Sequence, residues 1–368
     1  MNIVRSTRDY ELWLKAQLHG EIVVEDIRKK HAIMREGPFE FLRATYWRWA
    51  ETILDLCPEL KTAPSVLAVG DIHVENFGTW RDIDGRLVWG VDDFDEAAEM
   101  PYALDLVRLA TSAAIAGVGG MTSAVVARNI LSGYRDGLAA PNAFVLDQRF
   151  RRMRRKFEVP EAERARFWRK MDPELNLARA RKNKKKRQAR PPQHFIKALH
   201  AAWPELVSDP AFWPRRAGAG SLGRPRWVGF GLWRGAPILR EAKAIVPSAW
   251  TRAHGGSSKL RCLEVATGKY RAPDPWYRLQ DGVGVRRLSP NNRKLDLTEV
   301  NGASQLVNPE MLRAMGRDLA AVHLGNGARA AAIVRDLDRR KRRWLRTATR
   351  AAAAFVRREQ KEWRRATR

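Results

Sequence analysis

Two short apolar segments early in the chain each end in a cluster of acidic side chains. Residues 65–69 lead into GDIHVEN, and residues 87–91 lead into DDFDEA. Apolar runs of this length are typical of buried strands, so each cluster should lie where a strand ends and the backbone turns. Gly85 indicates the hairpin between them. The pattern therefore favours a fold in which polar loops at strand ends build a site.

The side chains of these clusters are suited to a hard metal ion. The first loop carries Asp71 and Asn76, and the second carries Asp93 and Asp95. Carboxylate and amide oxygens are the ligands that Mg²⁺ prefers. We therefore predict a Mg²⁺ site for phosphoryl transfer, with Asp71 as the carboxylate that orients a hydroxyl and accepts its proton. The alternative is that Asp and Asn after a strand are ordinary turn and capping residues.

A glycine-rich segment in the middle of the chain is a second candidate site. Gly218, Gly220 and Gly223 precede a predicted strand at residues 227–232, and Arg234-Gly235 indicates the following hairpin turn. A G-x-G-x-x-G string alone is a weak signal, but here a strand follows it and not a helix. That order is typical of kinases, in which a glycine-rich hairpin covers the nucleotide phosphates.

Lys243 lies on the strand after this hairpin, where kinases carry a lysine that contacts the phosphates. Its other interpretation is a solvent-facing strand residue. The lysine should have an acidic partner on a following helix. Glu264 is the candidate, with Glu241 as a competitor.

The charge balance favours an anionic partner or substrate. The chain has 368 residues, of which 68 are Lys or Arg and 41 are Asp or Glu, giving a net charge of +27. Residues 149–190 and 335–368 are especially basic and could neutralise a nucleic-acid backbone or an acidic protein. Alternatively, these segments are solvated helix faces above a packed apolar stripe.

Cysteine usage and hydropathy indicate a cytoplasmic protein. Cys57 and Cys262 lack the spacing of a disulfide framework or a zinc site. The N-terminal residues lack the apolar core of a signal peptide, and no window approaches a membrane span. We therefore expect no membrane partner.

The two acidic loops resemble those of a known enzyme group. GDIHVEN followed by VDDFDEA is similar to the catalytic and metal loops of aminoglycoside-phosphotransferase-like and protein-kinase-like enzymes. The wider sequence, including PFEFLRATYW and DDFDEAAEMPYALDLVRLA, resembles the uncharacterised bacterial DUF2252 family over most of the chain. The resemblance implies that Asp71 is the catalytic base, Asn76 and Asp93 bind metal, and Asp105 is a buried residue that supports the loop.

The resemblance also implies an unusual order of segments. Kinases place the glycine loop before the catalytic loop, whereas here Asp71 precedes Gly218. The expected fold is therefore α+β, two-lobed and protein-kinase-like, but circularly permuted. It would have a helical catalytic lobe at residues 1–205, a small antiparallel nucleotide lobe at residues 206–300, and returning helices at residues 301–368. The implied function is ATP-dependent phosphotransfer to an unknown hydroxyl acceptor with Mg²⁺.

Other functions fit parts of the pattern. His73 lies two residues after Asp71, as in antibiotic kinases, but a G-D-x-H string also begins the metallophosphoesterase signature, in which both residues bind metal. The later elements of that signature are absent. A non-catalytic nucleic-acid-binding protein, a kinase-like scaffold without turnover, and a nucleotidyl transferase with the same metal ligands are further alternatives.

Overall fold

The structure, a computed structural model, describes residues 1–117, 120–147, 149–182 and 190–367. These residues form a mixed α+β fold in which helices predominate and the strands build three small antiparallel sheets. The helices are α1 (Ile3–Gln17), α2 (Val24–Glu36), α3 (Pro38–Ala44), α4 (Tyr46–Leu56), α5 (Tyr102–Ala116), α6 (Ser123–Ala139), α7 (Arg151–Phe157), α8 (Glu161–Lys170), α9 (Pro173–Lys182), α10 (Gln193–Ala201), α11 (Ala249–His254), α12 (Cys262–Ala266), α13 (Gly302–Leu306), α14 (Pro309–Leu324), α15 (Ala330–Arg339) and α16 (Trp344–Ala366). The strands are β1 (Ser65–Ala68), β2 (Phe77–Arg81), β3 (Leu87–Val91), β4 (Ala98–Pro101), β5 (Phe144–Val145), β6 (Val207–Pro214), β7 (Arg226–Trp233), β8 (Ala236–Ala244), β9 (Arg278–Gln280) and β10 (Val283–Leu288).

The largest sheet comes from the middle of the chain and has the strand order β6-β7-β8-β10-β9. Its central hairpin joins β7 to β8 through Arg234 and Gly235, which have φ values of 51° and 78°. Positive φ at both central turn residues matches the right-handed twist of the strands, as the sequence predicts. One face of this sheet packs on α10, where Leu199 lies over Gly229. The other face turns towards the acidic loops.

The two smaller sheets deliver those loops. β1 pairs with β4, and β3 lies between β2 and β5. The acidic loop with Asp71 follows β1, and the loop with Asp93 follows β3. Gly85, with a φ of 73°, lies in the turn between β2 and β3. Both predicted strands therefore end where the sequence places them.

Helix α14 forms the base beneath both loops by packing closely on α6. A Cβ atom at Gly133 would lie only 1.8 Å from the carbonyl oxygen of Arg313, and one at Gly316 would lie 2.2 Å from that of Ile130. Only glycine permits this approach, because any side chain would collide with backbone. The close packing fixes the position of the α14 side chains that reach the loops.

Residues 38–56 and residues 330–366 each form two helices and not one continuous helix. Thr45 leaves helical geometry, with φ −126° and ψ 44°, and so separates α3 from α4. Arg340 is extended, with ψ 144°, and ends α15 before α16 begins. Residues 294–297 form no regular strand: Lys294 forms a single bridge with Gly78, and the Asp296 side chain then accepts the backbone N–H of Thr298 in a turn.

The basic segments are mostly helical where the structure describes them. Residues 151–182 form α7, α8 and α9, whereas the lysine-rich stretch from residue 183 to 189 lies outside the described residues. Cys57 and Cys262 are both buried free thiols. In the described part of the chain, every helix is too short or too polar to cross a membrane.

Candidate functional site

The first acidic loop is held by a buried carboxylate beneath it. Asp105, on α5, accepts the backbone N–H groups of Val69 at 2.8 Å and Gly70 at 3.0 Å. Its side chain is 1% exposed, and His323 of α14 lies 3.1 Å from it. Gly70 has a φ of 81°, and a Cβ there would lie 2.4 Å from the carbonyl oxygen of Glu96. Asp105 thus supports the loop from below. It does not line the adjacent cavity of about 240 Å³ that both acidic loops border.

Asp71 follows this turn and pairs with a buried arginine. Arg108 Nε lies 3.1 Å from Asp71 Oδ1, and the same guanidinium donates to the carbonyl oxygen of Leu42 at 2.8 Å. Burial raises the pKa of Asp71, Arg108 opposes this, and the nearby charge of Asp93 adds to the increase. The net result is a raised pKa. A carboxylate with a raised pKa accepts a proton more readily, which is what a general base requires.

The side-chain amide of Asn76 has a hydrogen-bond partner for its nitrogen but none for its oxygen among the described residues. Its Nδ2 donates to the backbone oxygen of Asp71 at 3.0 Å, which fixes the side-chain orientation. Its Oδ1 is buried and has no hydrogen-bond partner in the described part of the chain. A buried acceptor without a partner costs about 1–3 kcal/mol, so such an atom calls for a ligand. A cation above Asn76 would satisfy it.

The second acidic loop presents two carboxylates with different partners. Asp93 Oδ1 lies 3.6 Å from Lys243 Nζ, and its side chain is 38% exposed. Asp95 is only 11% exposed and forms ion pairs with Lys243 and, at 3.6 Å, with Arg224. The carboxylate of Asp95 is therefore already paired with side chains of the protein, whereas Asp93 retains an exposed side towards the cavity.

The charge of Asp93 is stabilised by its surroundings. Burial raises its pKa, but the charges of Lys243, Lys294 and Arg286 outweigh that effect and hold the pKa well below its usual range. The loop itself is fixed from α14, because Asp318 accepts the backbone N–H of Val91 at 2.8 Å. Asp93 is thus a rigidly placed anion across the physiological pH range.

The glycine-rich segment lies directly above Asp71. A Cβ at Gly220 would be 3.0 Å from Asp71 Oδ2, and Gly218 adopts a φ of 71°. Lys30 holds the segment from below by donating to the carbonyl oxygen of Gly220 at 2.8 Å. Both glycines line the cavity. Backbone can approach the acidic loop this closely only because no side chain intervenes.

The structure does not bring Gly223 to the cavity with Gly218 and Gly220, so its phosphate-binding role stays a prediction. It has a φ of 100°, and a Cβ there would lie 2.4 Å from Ile27 Cδ1. Gly223 is absent from the cavity lining among the described residues. Glycine is required at position 223 because the backbone φ is positive and because a Cβ atom would collide with Ile27 of α2.

Glu264 does not pair with Lys243, and that prediction is wrong. Glu264 forms ion pairs of 2.8 Å with Lys259 and with Arg261, on its own short segment. The acidic partners of Lys243 are the loop residues Asp93 and Asp95.

The competing residue, Glu241, is surrounded by arginines. It lies 2.6 Å from Arg226, 2.6 Å from Arg215 and 2.8 Å from Arg286. Burial raises the pKa of Glu241, but the charges of these three guanidinium groups lower it by more. The net result is a lowered pKa. Glu241 thus orients the arginines that border the cavity.

His73 is neutral and directed into the same cavity. Burial lowers its pKa well below the usual value, and the charges of Arg43 and Lys294 lower it further. Its Nδ1 accepts the backbone N–H of Glu75 at 3.2 Å. A neutral imidazole that accepts at Nδ1 carries its proton at Nε2, so His73 offers a hydrogen-bond donor.

These groups meet around one cavity of about 240 Å³. Its lining combines both acidic loops, the glycine-rich segment and a set of cations. The residues are Arg43, Val69, Asp71, His73, Asn76, Asp93, Asp95, Glu96, Ala217, Gly218, Ala219, Gly220, Ser221, Arg224, Arg226, Arg286 and Lys294. A lining that combines carboxylates with guanidinium groups suits a ligand that carries a metal ion on phosphates.

Sequence reasoning missed the arginines of this cavity. Arg224 and Arg226 directly follow Gly223 in GRPRW, so their position beside a phosphate loop was a usable signal. Arg286 reaches the cavity only through the pairing of β10 with β8, and Arg108, which does not line the cavity, reaches Asp71 through its place on α5. Neither position has a local signature.

The donor set fits Mg²⁺ bound together with phosphates. Among the described residues, no group of three or more His, Cys, Asp or Glu side chains forms a metal site by itself. Mg²⁺ generally uses one or two carboxylates plus substrate phosphates and water, and needs no all-protein cage. The orphaned Oδ1 of Asn76 and the open side of Asp93 supply such a partial set.

Comparison with known proteins gives one match. No curated protein and no solved structure matches the chain. Residues 23–201 match the model of a family described as "Uncharacterized protein conserved in bacteria (DUF2252)". The matched region contains both acidic loops and Arg108, and it ends before the glycine-rich segment and Lys243. This match supports the resemblance of the chain to the DUF2252 family.

Proposed function

We propose that this protein is an ATP-dependent phosphotransferase that uses Mg²⁺ to transfer a phosphoryl group to a hydroxyl acceptor. The observation that carries the proposal is the contact of Lys243 with Asp93 and Asp95, two carboxylates that line one cavity together with the glycine-rich segment. These groups come from distant parts of the chain. Their convergence on one cavity is what phosphoryl transfer needs, because its catalysis consists mainly of positioning and charge stabilisation.

The cationic wall binds the donor phosphates. Arg226 and Arg286 line the cavity that the phosphate chain would occupy, Lys243 adjoins it through its contacts with Asp93 and Asp95, and the backbone of Gly218 and Gly220 would cover the phosphates. An arginine guanidinium group can donate two parallel hydrogen bonds to a phosphate, and a lysine ammonium group acts as a point charge. Asn76 and Asp93 would hold Mg²⁺, which when bound neutralises charge on the transferring phosphoryl group.

Asp71 acts on the acceptor. Its raised pKa and its position beside Asn76 allow it to accept the hydroxyl proton as the acceptor oxygen attacks. Arg108 fixes the carboxylate in place through Oδ1, which leaves Oδ2 facing Gly220 and the cavity. His73 Nε2 donates to an oxygen of the bound substrates.

The order of elements supports a kinase-like fold with permuted segments. The glycine-rich segment leads into β7, and the next strand, β8, carries Lys243, as in the small lobe of kinases. The catalytic and metal loops come earlier in the chain and meet this sheet across the cavity. The permutation places the sheet after the catalytic half.

The phosphoesterase alternative lacks support in the geometry. That signature requires Asp71 and His73 to share a metal ion, but Asp71 pairs with Arg108. His73 uses Nδ1 to accept a backbone N–H, which leaves the proton on Nε2 and no lone pair there for a metal ion. Neither side chain is arranged as a ligand.

Calorimetry with the purified chain tests the proposal. ATP or GTP should bind in the presence of Mg²⁺, and removal of Mg²⁺ with a chelator should weaken binding. A screen of hydroxyl compounds with radiolabelled γ-phosphate should then reveal the acceptor, and labelling from the α-phosphate would instead indicate nucleotidyl transfer. Absence of any Mg²⁺-dependent binding of ATP and GTP would refute the proposal.

A further inference from the structure

The exposed face of α16 is positively charged along its whole length. Its exposed side chains are Arg, Lys, Thr and Ala, with no carboxylate among them. Arg350, Arg357 and Arg364 recur every seven residues on this face, and the exposed Arg343 continues the series at the N-cap. Residues seven apart lie on one face of an α-helix, separated by a rise of about 10.5 Å. These arginines therefore form a line about 32 Å long, which we call the arginine row.

The charge on this face is not neutralised within the described protein. Of the two acidic residues of α16, Glu359 is buried and pairs with Arg48, and Glu362 is half-buried. Among the described residues, no cation of the arginine row or beside it forms an ion pair. Helix faces that are simply solvated usually mix both signs of charge, whereas like charges at this spacing repel each other. The cations beside the row, exposed or half-buried, are Lys341, Arg342, Arg346, Arg358, Lys361 and Arg365.

The N-terminal part of this face is concave. Arg343, Arg346, Thr347, Arg350 and Ala351 border a surface depression of about 470 Å³. Guanidinium groups around small side chains leave room for a protruding anion, and a guanidinium group can donate two parallel hydrogen bonds to a phosphate. No described residue of α16 lines the cavity between the acidic loops and the glycine-rich segment. The arginine row is therefore a surface separate from the candidate active site.

The opposite face of α16 packs into the protein core. Its buried apolar residues include Trp344, Leu345, Phe355 and Val356. Trp363 is also buried, and its indole nitrogen donates to the carbonyl oxygen of His31 at 3.2 Å. The exposed face of α16 therefore has no aromatic ring on which a base of single-stranded nucleic acid could stack. It also has no large apolar side chain to insert into a lipid bilayer.

We propose that the arginine row binds the phosphate backbone of double-stranded DNA without regard to base sequence. The length of the row is close to one turn of the duplex, about 34 Å, along which the DNA carries one negative charge per about 1.7 Å. Because α16 is packed against the core, it lies flat on the duplex and does not enter the major groove. Contacts to phosphates alone position a protein but do not read sequence. This inference is independent of the proposed function.

Fluorescence anisotropy with a labelled DNA duplex of about 20 base pairs tests the inference on the full-length chain. If about six phosphates are contacted, the logarithm of the affinity should fall with the logarithm of salt concentration with a slope of about −5. That slope corresponds to a loss of about 1,000-fold between 50 and 200 mM salt. Single-stranded DNA of the same sequence, which needs stacking platforms for tight binding, should bind more weakly.

The triple variant Arg350→Gln, Arg357→Gln, Arg364→Gln removes the centre and the C-terminal end of the row. The slope should become shallower by about 3, and the affinity at 100 mM salt should fall about 100-fold. Glutamine is a good helix former, so α16 should stay folded, which circular dichroism checks. The matched control is the triple variant Arg152→Gln, Arg169→Gln, Arg278→Gln, which removes the same charge from exposed arginines of α7, α8 and β9. Its affinity should stay within about threefold of the wild type.

A second measurement uses the wild type alone and so does not depend on the folding of a variant. Acetylation of lysines, followed by mass spectrometry, should show that the DNA duplex protects Lys341 and Lys361. Lys61, an exposed lysine outside α16, should be acetylated equally with and without DNA.

Several results would overturn the inference. They are absence of duplex binding, equal salt slopes for the wild type and the Arg350, Arg357 and Arg364 variant, and no protection of Lys361 by the duplex. Tighter binding at the same salt concentration to single-stranded DNA, to double-stranded RNA or to vesicles containing phosphatidylserine would also overturn it, because the face would then belong to a different polyanion.

Discussion

The ammonium group of Lys243 lies 3.6 Å from Oδ1 of Asp93, although the two residues belong to opposite halves of the chain. Lys243 is on β8 of the five-stranded sheet, and Asp93 follows β3 of another sheet. The pair therefore exists only when the sheet packs onto the helical part of the molecule. Because Lys243 is proposed to contact the donor phosphates and Asp93 to bind their Mg²⁺, this contact is the first to test by substitution.

Lys243→Met should weaken Mg-ATP binding by roughly 10- to 100-fold. The variant keeps the bulk of the stem but removes the charge, and hydrogen bonds to charged groups contribute about 1.5–3 kcal/mol. Isothermal calorimetry measures the change. Lys259→Met is the control, since Lys259 is an exposed lysine that pairs with Glu264 outside the cavity. The affinity of this variant for Mg-ATP should match that of the wild type. Equal affinities for all three proteins would contradict the assignment of Lys243.

Asn76→Ala should weaken the Mg²⁺ dependence of nucleotide binding about tenfold or more. The substitution removes the buried Oδ1 that has no protein partner. Even the loss of a residue that only hydrogen-bonds to a metal ligand typically lowers metal affinity about 10- to 100-fold. The measurement is ATP affinity as a function of Mg²⁺ concentration. Asn142→Ala removes an amide from an exposed loop and should leave the curve unchanged.

Asp93→Asn should act in the same direction and more strongly. It keeps the shape of the side chain but removes the negative charge that the surrounding cations stabilise. Mg²⁺ should then no longer increase the affinity for ATP. If the Mg²⁺ response of Asp93→Asn equals that of the wild type, Asp93 is not a metal ligand.

The parts of the site that sequence could predict are those with a strong local signature. The apolar runs before Asp71 and Asp93 predict two strand ends, and the hairpin at Gly235 predicts the β7–β8 pair, all of which the structure contains. Each of these depends on residues close together in sequence. Periodicity and turn chemistry are local properties, so they are readable without the fold.

The parts that sequence could not predict depend on register and packing between distant segments. Arg261 and Lys259 lie within five residues of Glu264 and pair with it locally, but nothing near Lys243 indicates that its partners would be the acidic loop. The third glycine of the motif, Gly223, faces Ile27 because α2 packs there. Spacing alone cannot separate a glycine that faces a ligand from one that faces a helix.

Asp71→Asn should reduce phosphoryl transfer about 100-fold or more while ATP affinity stays within about twofold of the wild type. General base catalysis contributes about 10²–10⁴ in rate, and in the proposed mechanism Asp71 acts on the acceptor and not on the donor phosphates. Once an acceptor is found, steady-state kinetics measures the rate, and calorimetry measures the affinity. A transfer rate within tenfold of the wild type would remove Asp71 from the role of base.

The pH dependence of the wild type gives a second test of Asp71. Only the deprotonated carboxylate can accept a proton, so the rate should fall as the pH decreases through its pKa. Because burial raises that pKa, the acidic limb should lie above the usual value of about 3.9 for aspartate. The limb should disappear in Asp71→Asn, whose residual rate has no such group to titrate.

Lys30 links the stability of the glycine-rich segment to pH. Burial lowers its pKa to about 7, and the charge of Arg224 adds to this, although Glu11, Glu96 and Asp71 oppose the decrease. An unfolded lysine has a pKa of about 10.4. Between these two values the unfolded chain binds a proton that the folded chain lacks, so the contribution of Lys30 to the free energy of unfolding increases with pH. The contribution is complete above the unfolded pKa and is lost as the pH falls to about 7.

Lys30→Met should therefore flatten the pH dependence of the free energy of unfolding by up to about 1.4 kcal/mol per pH unit between pH 8 and 10, the slope for one proton. Methionine keeps the packing on Tyr10 and Trp47, over which the ammonium lies at 5.5 and 4.8 Å from the ring centroids. Urea unfolding at a series of pH values measures the slope. Lys29→Met, at the exposed neighbouring lysine, should retain the wild-type slope. If Lys30→Met also retains it, Lys30 is protonated to the same extent in the folded and unfolded chains, and its hydrogen bond to Gly220 does not depend on pH in this range.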